Sequence, residues 1–337
     1  MDEADVALLD ALHTNPRASF ERLAETLGVA AVTVARRWRR LSEAGQAWVS
    51  SVPGPNMALT GAACEIEPEA GRAVEVGQAL AAIPHVVSVY LTSGDFCVHT
   101  IVFAGDADSL ATLLLEVIPG VPGVSRVRSH VGVEWLSGVR WRLGALSSTQ
   151  RSSVSGAEAG EDRAERSRSR EFDASERALY LALQQDGRAA YRELARQLEI
   201  PEHLARRQTE SLVRRGMLTF RTDFARREGG WPVELVLWLT VRHDRIEQVG
   251  AELSAWPESR IVLATVGAAN LLLMAQLHRL GDIGRIRARL DEAQPAVTVV
   301  DERVVLRPIK SLGRLLDETG HAAGVVPVDP WAAVECR

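Results

Sequence analysis

The chain of 337 residues contains almost no lysine and no long apolar run. Lys310 is its only lysine, so nearly all of the positive charge is carried by arginine. Arginine suits bidentate contacts to phosphate and guanine, although a GC-rich genome produces the same preference. No apolar stretch approaches the roughly 20 residues that span a bilayer. The acidic start MDEADVALLD lacks the basic and apolar regions of a signal peptide, so none is expected.

Cysteine is also scarce: Cys64, Cys97 and Cys336 are far apart and form no C-x-x-C pair. This spacing disfavours a disulfide framework and a zinc site, and it fits a reducing cytoplasm. The eight histidines show no metal-ligand spacing. We therefore expect a cytoplasmic protein with no metal and no cofactor, in which Cys97 is a small buried apolar residue rather than a reactive thiol.

The bulk composition is that of a globular protein with 46% hydrophobic and 25% charged residues. Its length is sufficient for two or more domains. The net charge of −5 argues against general coating of nucleic acid by the whole molecule. A local basic surface remains compatible with it, because DNA responds to the patch rather than to the sum.

The segment AVTVARRWRRLSEAG has one apolar side and one basic side when it is drawn as a helix. Val34, Trp38 and Leu41 share the apolar side at helical spacing. The preceding segment ASFERLAETLGV is a shorter amphipathic helix that Gly28 would end. Together they predict a helix-turn-helix with Ala31–Ala44 as its recognition helix. The alternative is that the arginine side of this helix is only exposed to solvent and binds no DNA. The candidate DNA-contacting residues are Thr33, Arg36, Arg37, Arg39 and Arg40.

One further helix precedes the helix-turn-helix, and an alternation of strands and helices follows it. The apolar spacing predicts helices over Glu3–His13 and Ser19–Leu27, then an extended hinge over Ala47–Pro55. The next segments predict the order βαββαβ, an antiparallel sheet with two helices on one face. They are Met57–Ile66, Glu69–Ile83, Val86–Leu91, Phe96–Phe103, Asp106–Val117 and Val124–Trp135. The other face of such a sheet needs a partner.

The same pattern restarts after a polar segment, Ser147–Glu171, which we expect to be a flexible linker because it has almost no apolar surface to bury. Arg188 matches Arg17 and Gly216 matches Gly45, each at a separation of 171 (188 − 17 and 216 − 45). In the βαββαβ region the separation is 173, as between Pro257 and Pro84 (257 − 84). Two segments that recur in the same order indicate an internal duplication.

The predicted fold is therefore α+β: two winged-type helix-turn-helix domains alternate with two ferredoxin-like (βαββαβ, ACT-like) domains. The predicted boundaries are 1–50 and 172–222 for the helix-turn-helix domains, 51–140 and 223–318 for the ferredoxin-like domains, 141–171 for the linker and 319–337 for a loosely held C-terminal tail. Trp331 in this tail either packs back onto the body or remains free.

This architecture resembles the leucine-responsive/asparagine-responsive (Lrp/AsnC) family of transcriptional regulators. Similar phrases are RASFERLAETLGV and TVARRWRRLSEAG in the first half, and DGRAAYRELARQLEI and LRPIKSLGRLLDETG in the second. Ordinary members carry one copy of each domain, so the chain looks like a fused dimer. The resemblance implies sheet-to-sheet pairing, homo-oligomers up to rings, and an amino acid or other small effector bound between subunits, which shifts assembly or DNA binding. The two halves pair within one chain or exchange with a neighbouring chain.

The second recognition helix departs from the first. At the separation of 171, Arg37 corresponds to Gln208 and Arg40 to Ser211. The residues still able to contact DNA there are His203, Arg206, Arg207 and Gln208. We expect weaker or differently specific DNA binding by this copy, or a degenerate module that is kept for packing.

The resemblance places the effector site near the turn between the middle strands of each ferredoxin-like domain. The corresponding residues are Thr92, Ser93, Gly94, Asp95, Thr265, Gly267 and Asn270. Family members often have Asp where this chain has Cys97 and Asn270, so the two sites are expected to differ. A purely conformational role for the glycines is the alternative.

Two other functions are compatible with this architecture, those of an enzyme and of a scaffold that does not contact DNA. Some relatives with this architecture are sirohaem decarboxylases with a His-Asn-Tyr type motif. The segment HVVSVYLTSGDFCVHT keeps His85 and Tyr90 but lacks that cluster, and ESRIVLATVGAANLLL has no His or Tyr. No enzymatic activity is therefore expected. An effector-binding scaffold without DNA contact is disfavoured by the arginines of the first recognition helix. The chain is expected to bind double-stranded DNA and no membrane.

Overall fold

The computed structural model describes residues 1–137, 141–155 and 172–334. Three helices and a strand come first: α1 (Glu3–Thr14), α2 (Phe20–Leu27), α3 (Ala31–Glu43) and β1 (Ala47–Pro53). They are followed by β2 (Thr60–Pro68), α4 (Ala73–Ala81), β3 (Val86–Thr92), β4 (Val98–Ala104), α5 (Ala107–Thr112), which continues as a π-helical turn over Leu113–Val117, and β5 (Val124–Ser137).

A second series of elements has a similar order. It comprises α6 (Ser148–Ser155), α7 (Ala174–Gln185), α8 (Tyr191–Leu198), α9 (Glu202–Arg214), β6 (Leu218–Phe224), β7 (Val233–Thr240), a 3-10 turn over His243–Arg245, α10 (Ile246–Ser254), β8 (Ser259–Thr265), β9 (Leu271–Leu277), α11 (Asp282–Ala293), β10 (Thr298–Ser311), β11 (Arg314–Leu316) and β12 (Ala322–Val325). The predicted α+β class is confirmed. Across the described ranges, no helix is both long and apolar enough to cross a membrane.

Local sequence fixes where the first helices begin and end. Asp2 and Asp5 form a reciprocal capping box at the start of α1. Gly28 ends α2 in the left-handed conformation, with φ 67°. The residue before α3, Ala30, contributes no side-chain cap, as its side chain predicts.

The chain folds into two compact units, each built from two separate stretches of sequence. Unit 1 combines Met1–Ala58 with Arg142–Phe224, and unit 2 combines Leu59–Trp141 with Ala225–Arg337. The helix-turn-helix copies therefore lie together in unit 1, and the βαββαβ copies lie together in unit 2.

In unit 1 the strands that follow the two recognition helices pair with each other. β1 and β6 form a two-stranded antiparallel sheet, in which Ser50 lies opposite Arg221. Each helix-turn-helix copy thus supplies a single strand to a shared ladder, and the winged type of the prediction is wrong because neither strand folds back as a wing hairpin. The segment predicted as an extended hinge is the element that joins the two copies.

Two matched arginines add a reciprocal contact between the copies. Arg17 donates from both Nη atoms to the carbonyls of the two residues that flank Arg188. Arg188 donates in turn to the carbonyls of the two residues that flank Arg17, at 2.6 and 2.9 Å. Burial, and then the nearby charge of Arg17, lower the pKa of Arg188 to about 10. The equivalence of these contacts gives unit 1 an internal two-fold arrangement.

The segment predicted to be a flexible linker is partly helical, so that prediction is wrong for residues 148–155. Helix α6 packs on the first helix-turn-helix copy and buries Val154 completely. The polar sequence of α6 gives no apolar pattern. The stretch just before it is held by hydrogen bonds from the amides of Leu143, Ala145 and Leu146 to the buried carboxylate of Asp10. The rest of the predicted linker, residues 156–171, lies outside the described residues.

In unit 2 each βαββαβ copy forms a four-stranded segment of one continuous sheet. The strand orders are β3-β4-β2-β5 and β8-β9-β7-β10, and the pairs β5–β8 and β10–β3 join the copies at both edges. A shared core fills the inner face, with Ile101 from the first copy and Trp238, Leu263 and Met274 from the second. The sheet face that required a partner is therefore covered by the other copy within the same chain.

The C-terminal segment, predicted to be a loosely held tail, is ordered up to residue 334, so that prediction is wrong. β12 pairs with β11, and Val328 is buried. The carbonyl of Pro330 accepts a hydrogen bond from the amide of Gly105 at 2.8 Å, and the ring of Trp331 lies against that glycine. Residues 335–337 lie outside the described residues.

The only lysine of the chain is buried in unit 2. Lys310 on β10 is 0% exposed, and its Nζ donates to the carbonyl of Ile83 just beyond α4, at 3.3 Å. Within the described ranges no carboxylate forms an ion pair with it. Burial lowers its pKa to about 7.

This buried lysine predicts a pH dependence of stability. Since its pKa is lowered on folding, the unfolded chain binds more protons between about pH 7 and pH 10, and stability rises with pH through that window. We expect Lys310→Met to be more stable than the wild type at pH 7. The difference in the free energy of unfolding should shrink by about 3 kcal/mol on going to roughly pH 9.5. Urea unfolding of both proteins at a series of pH values measures this difference, and a pH-independent difference would contradict the assignment.

Candidate functional site

The recognition helix α3 packs on unit 1 through a narrow apolar stripe. Val34 and Leu41 are buried, as predicted. Trp38, predicted to share that core, is only half-buried, and its ring lies 5.6 Å from the guanidinium of Arg188 in the other copy. The prediction that Trp38 is a core residue is wrong because this end of α3 faces the contact between the two copies.

The polar side of α3 carries a row of cations. Arg36, Arg39 and Arg40 are exposed, whereas Thr33 and Arg37 are half-buried. Because α3 runs as one helix from Ala31 to Glu43, these side chains are presented by a rigid element rather than by a loop. Such a surface is suited to the phosphate groups of a duplex.

Carboxylates of α1 contact two of these arginines. Nη1 of Arg37 donates to Asp2 at 2.9 Å and to Asp5 at 2.8 Å, and Nη2 of Arg40 donates to Asp5 at 2.6 Å. The hydrogen bond from Arg37 lowers the pKa of Asp2 below its usual value, and the bond to Asp2 raises the pKa of Arg37. Together with Met1 and Arg36, these residues line a surface groove of about 500 Å³.

The second recognition helix, α9, has a sparser basic side. His203, Arg206 and Arg207 are exposed, and the guanidinium of Arg206 lies 5.2 Å from the ring of Tyr191. Gln208, which occupies the position of Arg37, donates to the Ser175 hydroxyl at 3.0 Å. The helix therefore forms, with Pro201 at its N-cap, but it presents fewer cations.

The first predicted effector turn is tied to β10. The amide of Ser93 donates to the carbonyl of Val304 at 2.9 Å, and its hydroxyl accepts from the Val304 amide at 3.1 Å. Gly94 has φ 92°, a conformation that favours glycine. Asp95 is exposed, whereas Thr92 is buried.

In the second predicted turn the polar side chains are engaged locally. The amide of Asn270 accepts from the backbone N–H of Val241 at 2.8 Å and donates to its carbonyl at 2.7 Å. The hydroxyl of Thr265 donates to the carbonyl of Ala269 at 3.1 Å. Gly267 is exposed with φ 141°. Since Asn270 and Thr265 hold the turn together, this turn presents mainly backbone groups to an effector.

A buried charged cluster lies beside the first turn and escaped the sequence reasoning. Glu65 on β2 lies 3.3 Å from Nε of Arg303 and 3.4 Å from Nε2 of His130. The His130 ring stacks on Trp238, with centroids 4.0 Å apart. Neither ring nitrogen of buried His99 has a hydrogen-bond partner among the described residues, and the same holds for Nε1 of Trp238.

Burial sets the protonation of this cluster. It lowers the pKa of His99 to about 4, which keeps that imidazole neutral at pH 7. Burial alone would raise the pKa of Glu65, but the hydrogen bond to His130 and the charge of Arg303 outweigh it and lower the pKa. At the separation of 173, Glu65 corresponds to Trp238 and His99 to Leu272. The first copy therefore has ionisable residues where the second copy has apolar ones. This difference between the copies is the feature of the sequence that could have indicated the cluster.

The cysteines and histidines take no metal-like arrangement in the described ranges, where no group of three or more potential ligands is found. Burial raises the pKa of Cys64 to about 12. Cys97 was predicted to be buried but is half-buried, and burial raises its pKa as well. A raised pKa makes a thiol less reactive at neutral pH.

Family models match two consecutive parts of the first half. Residues 1–42 match the AsnC-type helix-turn-helix domain, and residues 61–135 match the Lrp/AsnC ligand binding domain. The HTH-type transcriptional regulator LrpA of Pyrococcus abyssi is 27% identical over 141 residues, which cover 40% of this chain and 99% of LrpA. LrpA of Pyrococcus horikoshii is 26% identical over 141 residues, with the same coverage of 40% and 99%.

Two solved structures are similar over most of the chain. The crystal structure of the siroheme decarboxylase NirDL has a TM-score of 0.57 and 13% identity, and the alignment covers 92% of this chain and 93% of that one. Its co-complex with an iron-uroporphyrin III analogue has a TM-score of 0.56 and 13% identity, with 88% of each chain covered. At this identity the likeness shows the fold alone. Residues 1–42 and 61–135 are therefore an AsnC-type helix-turn-helix domain and a Lrp/AsnC ligand binding domain, and this part of the chain is homologous to the LrpA regulators.

Proposed function

We propose that the chain is a sequence-specific DNA-binding transcriptional regulator that carries both partners of a regulator dimer in one polypeptide. The observation that supports this most is the exposed row of arginines on α3, in a half-chain whose relatives are HTH-type regulators. In this proposal the domain boundaries remain those predicted from the sequence, except that residues 148–155 pack on the first helix-turn-helix copy and residues 329–331 pack on the first ferredoxin-like copy.

The residues of α3 take different roles in the proposed interface. The first half of a recognition helix meets base edges, whereas cations farther along hold phosphates. Thr33, Arg36 and Arg37 are therefore assigned to bases, and Arg39 and Arg40 to phosphates. The exposure of Arg36 and Arg39 is consistent with this division.

The two recognition helices are assigned to two unequal half-sites of one duplex. Both belong to unit 1, in which the β1–β6 ladder and the contacts of Arg17 and Arg188 join the copies. α9 presents Arg206 and Arg207 but has Gln208 and Ser211 where α3 has arginines. We therefore assign the sequence-reading role to α3 and an auxiliary phosphate-holding role to α9.

The proposed effector, an amino acid or another small molecule, binds in unit 2 beside the first turn. This side is favoured because Ser93, Gly94 and Asp95 lie near the charges of Glu65 and Arg303, whereas the second turn offers mainly backbone groups. The protein is further proposed to be cytoplasmic and to assemble into homo-oligomers through its ferredoxin-like domains.

A second candidate, a tetrapyrrole-binding enzyme, is favoured by one observation: the fold likeness to the siroheme decarboxylase over 92% of this chain. Its test is optical. Addition of an iron tetrapyrrole to the purified protein should give a shifted Soret band with saturable binding if this function applies. The regulator proposal predicts no saturable spectral change, because the matched segment lacks the His-Asn-Tyr cluster.

Binding to genomic fragments tests the proposed function. The purified chain is titrated against fragments that include the region upstream of its own gene, at two salt concentrations and with excess competitor DNA. The proposal predicts a fragment that is bound over competitor, with an affinity that falls steeply as salt rises. Repeating the titration with a panel of amino acids tests the effector. Equal binding to all fragments would overturn sequence-specific regulation.

A further inference from the structure

Two carboxylates at the start of α1 occupy the arginine side of α3. Both Asp2 carboxylate oxygens accept from Nη1 of Arg37 at 2.9 Å. Asp5 accepts from Arg37 at 2.8 Å and from Arg40 at 2.6 Å. These contacts use the same guanidinium donors that a phosphate group would use.

The two carboxylates differ in exposure and therefore in how easily they are displaced. The Asp5 side chain is 2% exposed and bridges both arginines, so it is a fixed anchor. The Asp2 side chain is 59% exposed, and an exposed ion pair of this kind contributes little to stability. An acceptor group of the DNA can therefore replace Asp2 at small cost, but not Asp5.

We propose that Asp2 is an electrostatic gate on the first recognition helix, which an acceptor group of the DNA must displace from Arg37. The gate rests on the proposed function, since it regulates the same interface. While Asp2 occupies Arg37, its charge also repels a phosphate that approaches the groove formed with Arg36 and Arg40. The gate thus lowers the affinity for every duplex. Only a DNA site that makes good contacts with the rest of α3 can displace Asp2.

The second copy has no equivalent gate on α9. Asp173 corresponds to Asp2 and forms the same capping box with Glu176. However, the position of Arg37 is taken by Gln208, which donates to Ser175, and the position of Arg40 is taken by Ser211. The gate therefore acts only on α3, which carries Arg37 and Arg40 and to which we assign the reading of the DNA sequence.

Asp2→Asn tests the gate without breaking α1. Asparagine caps a helix as well as aspartate does, so the hydrogen bond from the Asp5 amide is kept while the charge is lost. Glu3→Gln is the matched control, because it removes the same charge at the neighbouring position. The Glu3 side chain is exposed and makes no ion pair among the described residues. On the best genomic fragment, we expect the Kd of Asp2→Asn to fall about 3- to 10-fold at low salt and less at high salt. The Kd of Glu3→Gln should stay within about 1.5-fold of wild type, because surface charges away from a contact act weakly.

A second measurement examines the contact without DNA. The guanidinium protons of Arg37, followed by NMR, should exchange with water more slowly in the wild type than in Asp2→Asn. Equal exchange rates would overturn the contact. If the wild type binds DNA and Asp2→Asn is no tighter than Glu3→Gln, the gate is wrong while the regulator stands. If the wild type binds no fragment specifically, the proposed function fails and the gate fails with it.

Discussion

Arg36→Ala combined with Arg37→Ala is expected to abolish specific DNA binding. Loss of two cation contacts at base edges should weaken binding by about 2–4 kcal/mol, roughly 30- to 1000-fold. The slope of log affinity against log salt should change by less than about 1, because both arginines are assigned to base edges rather than to phosphates. The fold should survive, because Asp5 keeps its ion pair with Arg40 when Arg37 is removed. Fluorescence anisotropy at a series of salt concentrations measures both effects.

The matched control is the same change in the second copy, Arg206→Ala with Arg207→Ala. Both arginines are exposed on α9, so the charge removed is equal. We expect a loss of no more than about tenfold, which corresponds to two exposed phosphate contacts. Equal losses from the two double variants would mean that the halves read equivalent half-sites, and it would contradict the division of roles between α3 and α9.

Asp10→Asn is expected to cause a large loss of stability in unit 1. The Asp10 carboxylate is 0% exposed and accepts hydrogen bonds from the connecting segment. Its donors are the amides of Leu143, Ala145 and Leu146 at 3.0, 2.9 and 2.9 Å, and Nη1 of Arg151 at 3.3 Å. Asparagine has the same size as aspartate, but its amide NH2 group replaces one carboxylate oxygen. That NH2 group would face the N–H donors that the oxygen accepts from in the wild type. We expect a loss of about 3 kcal/mol, and a fall in Tm of about 10 °C.

Thermal and urea unfolding of Asp10→Asn beside Asp108→Asn measures this loss. Asp108 is exposed on α5, so its substitution should change stability by less than about 0.5 kcal/mol. If the two variants lose equal stability, the connecting segment is not held by Asp10. Limited proteolysis gives a second readout, because release of α6 should expose residues 141–155 to cleavage in Asp10→Asn alone.

Elements that bury one face against a local core were predictable from the sequence. The apolar spacing of α1, α2 and α3 located each helix to within about two residues, and the turn at Gly94 separated β3 from β4 as expected. The arginine side of α3 followed from the same spacing. These features depend on residues within one or two turns of each other, where periodicity is informative.

Contacts between distant parts of the chain were not predictable in the same way. The hinge after α3 became β1 only because β6 supplies its partner, and the stretch before α6 is held by a carboxylate more than 130 residues away. Asp2 and Asp5 meet Arg37 through tertiary packing, which no local pattern records. Long-range pairings of this kind depend on the duplicated architecture rather than on propensity.

Hydroxyl-radical footprinting of the wild type on its best genomic fragment tests whether α3 reads the sequence of a half-site. A single chain per duplex should protect two separate segments that lie on one face of the helix, about one or two helical turns apart. The stronger segment should disappear in Arg36→Ala/Arg37→Ala and persist in Arg206→Ala/Arg207→Ala. Absence of any discrete protection, with binding that is uniform along the fragment, would contradict a regulator that reads DNA through α3.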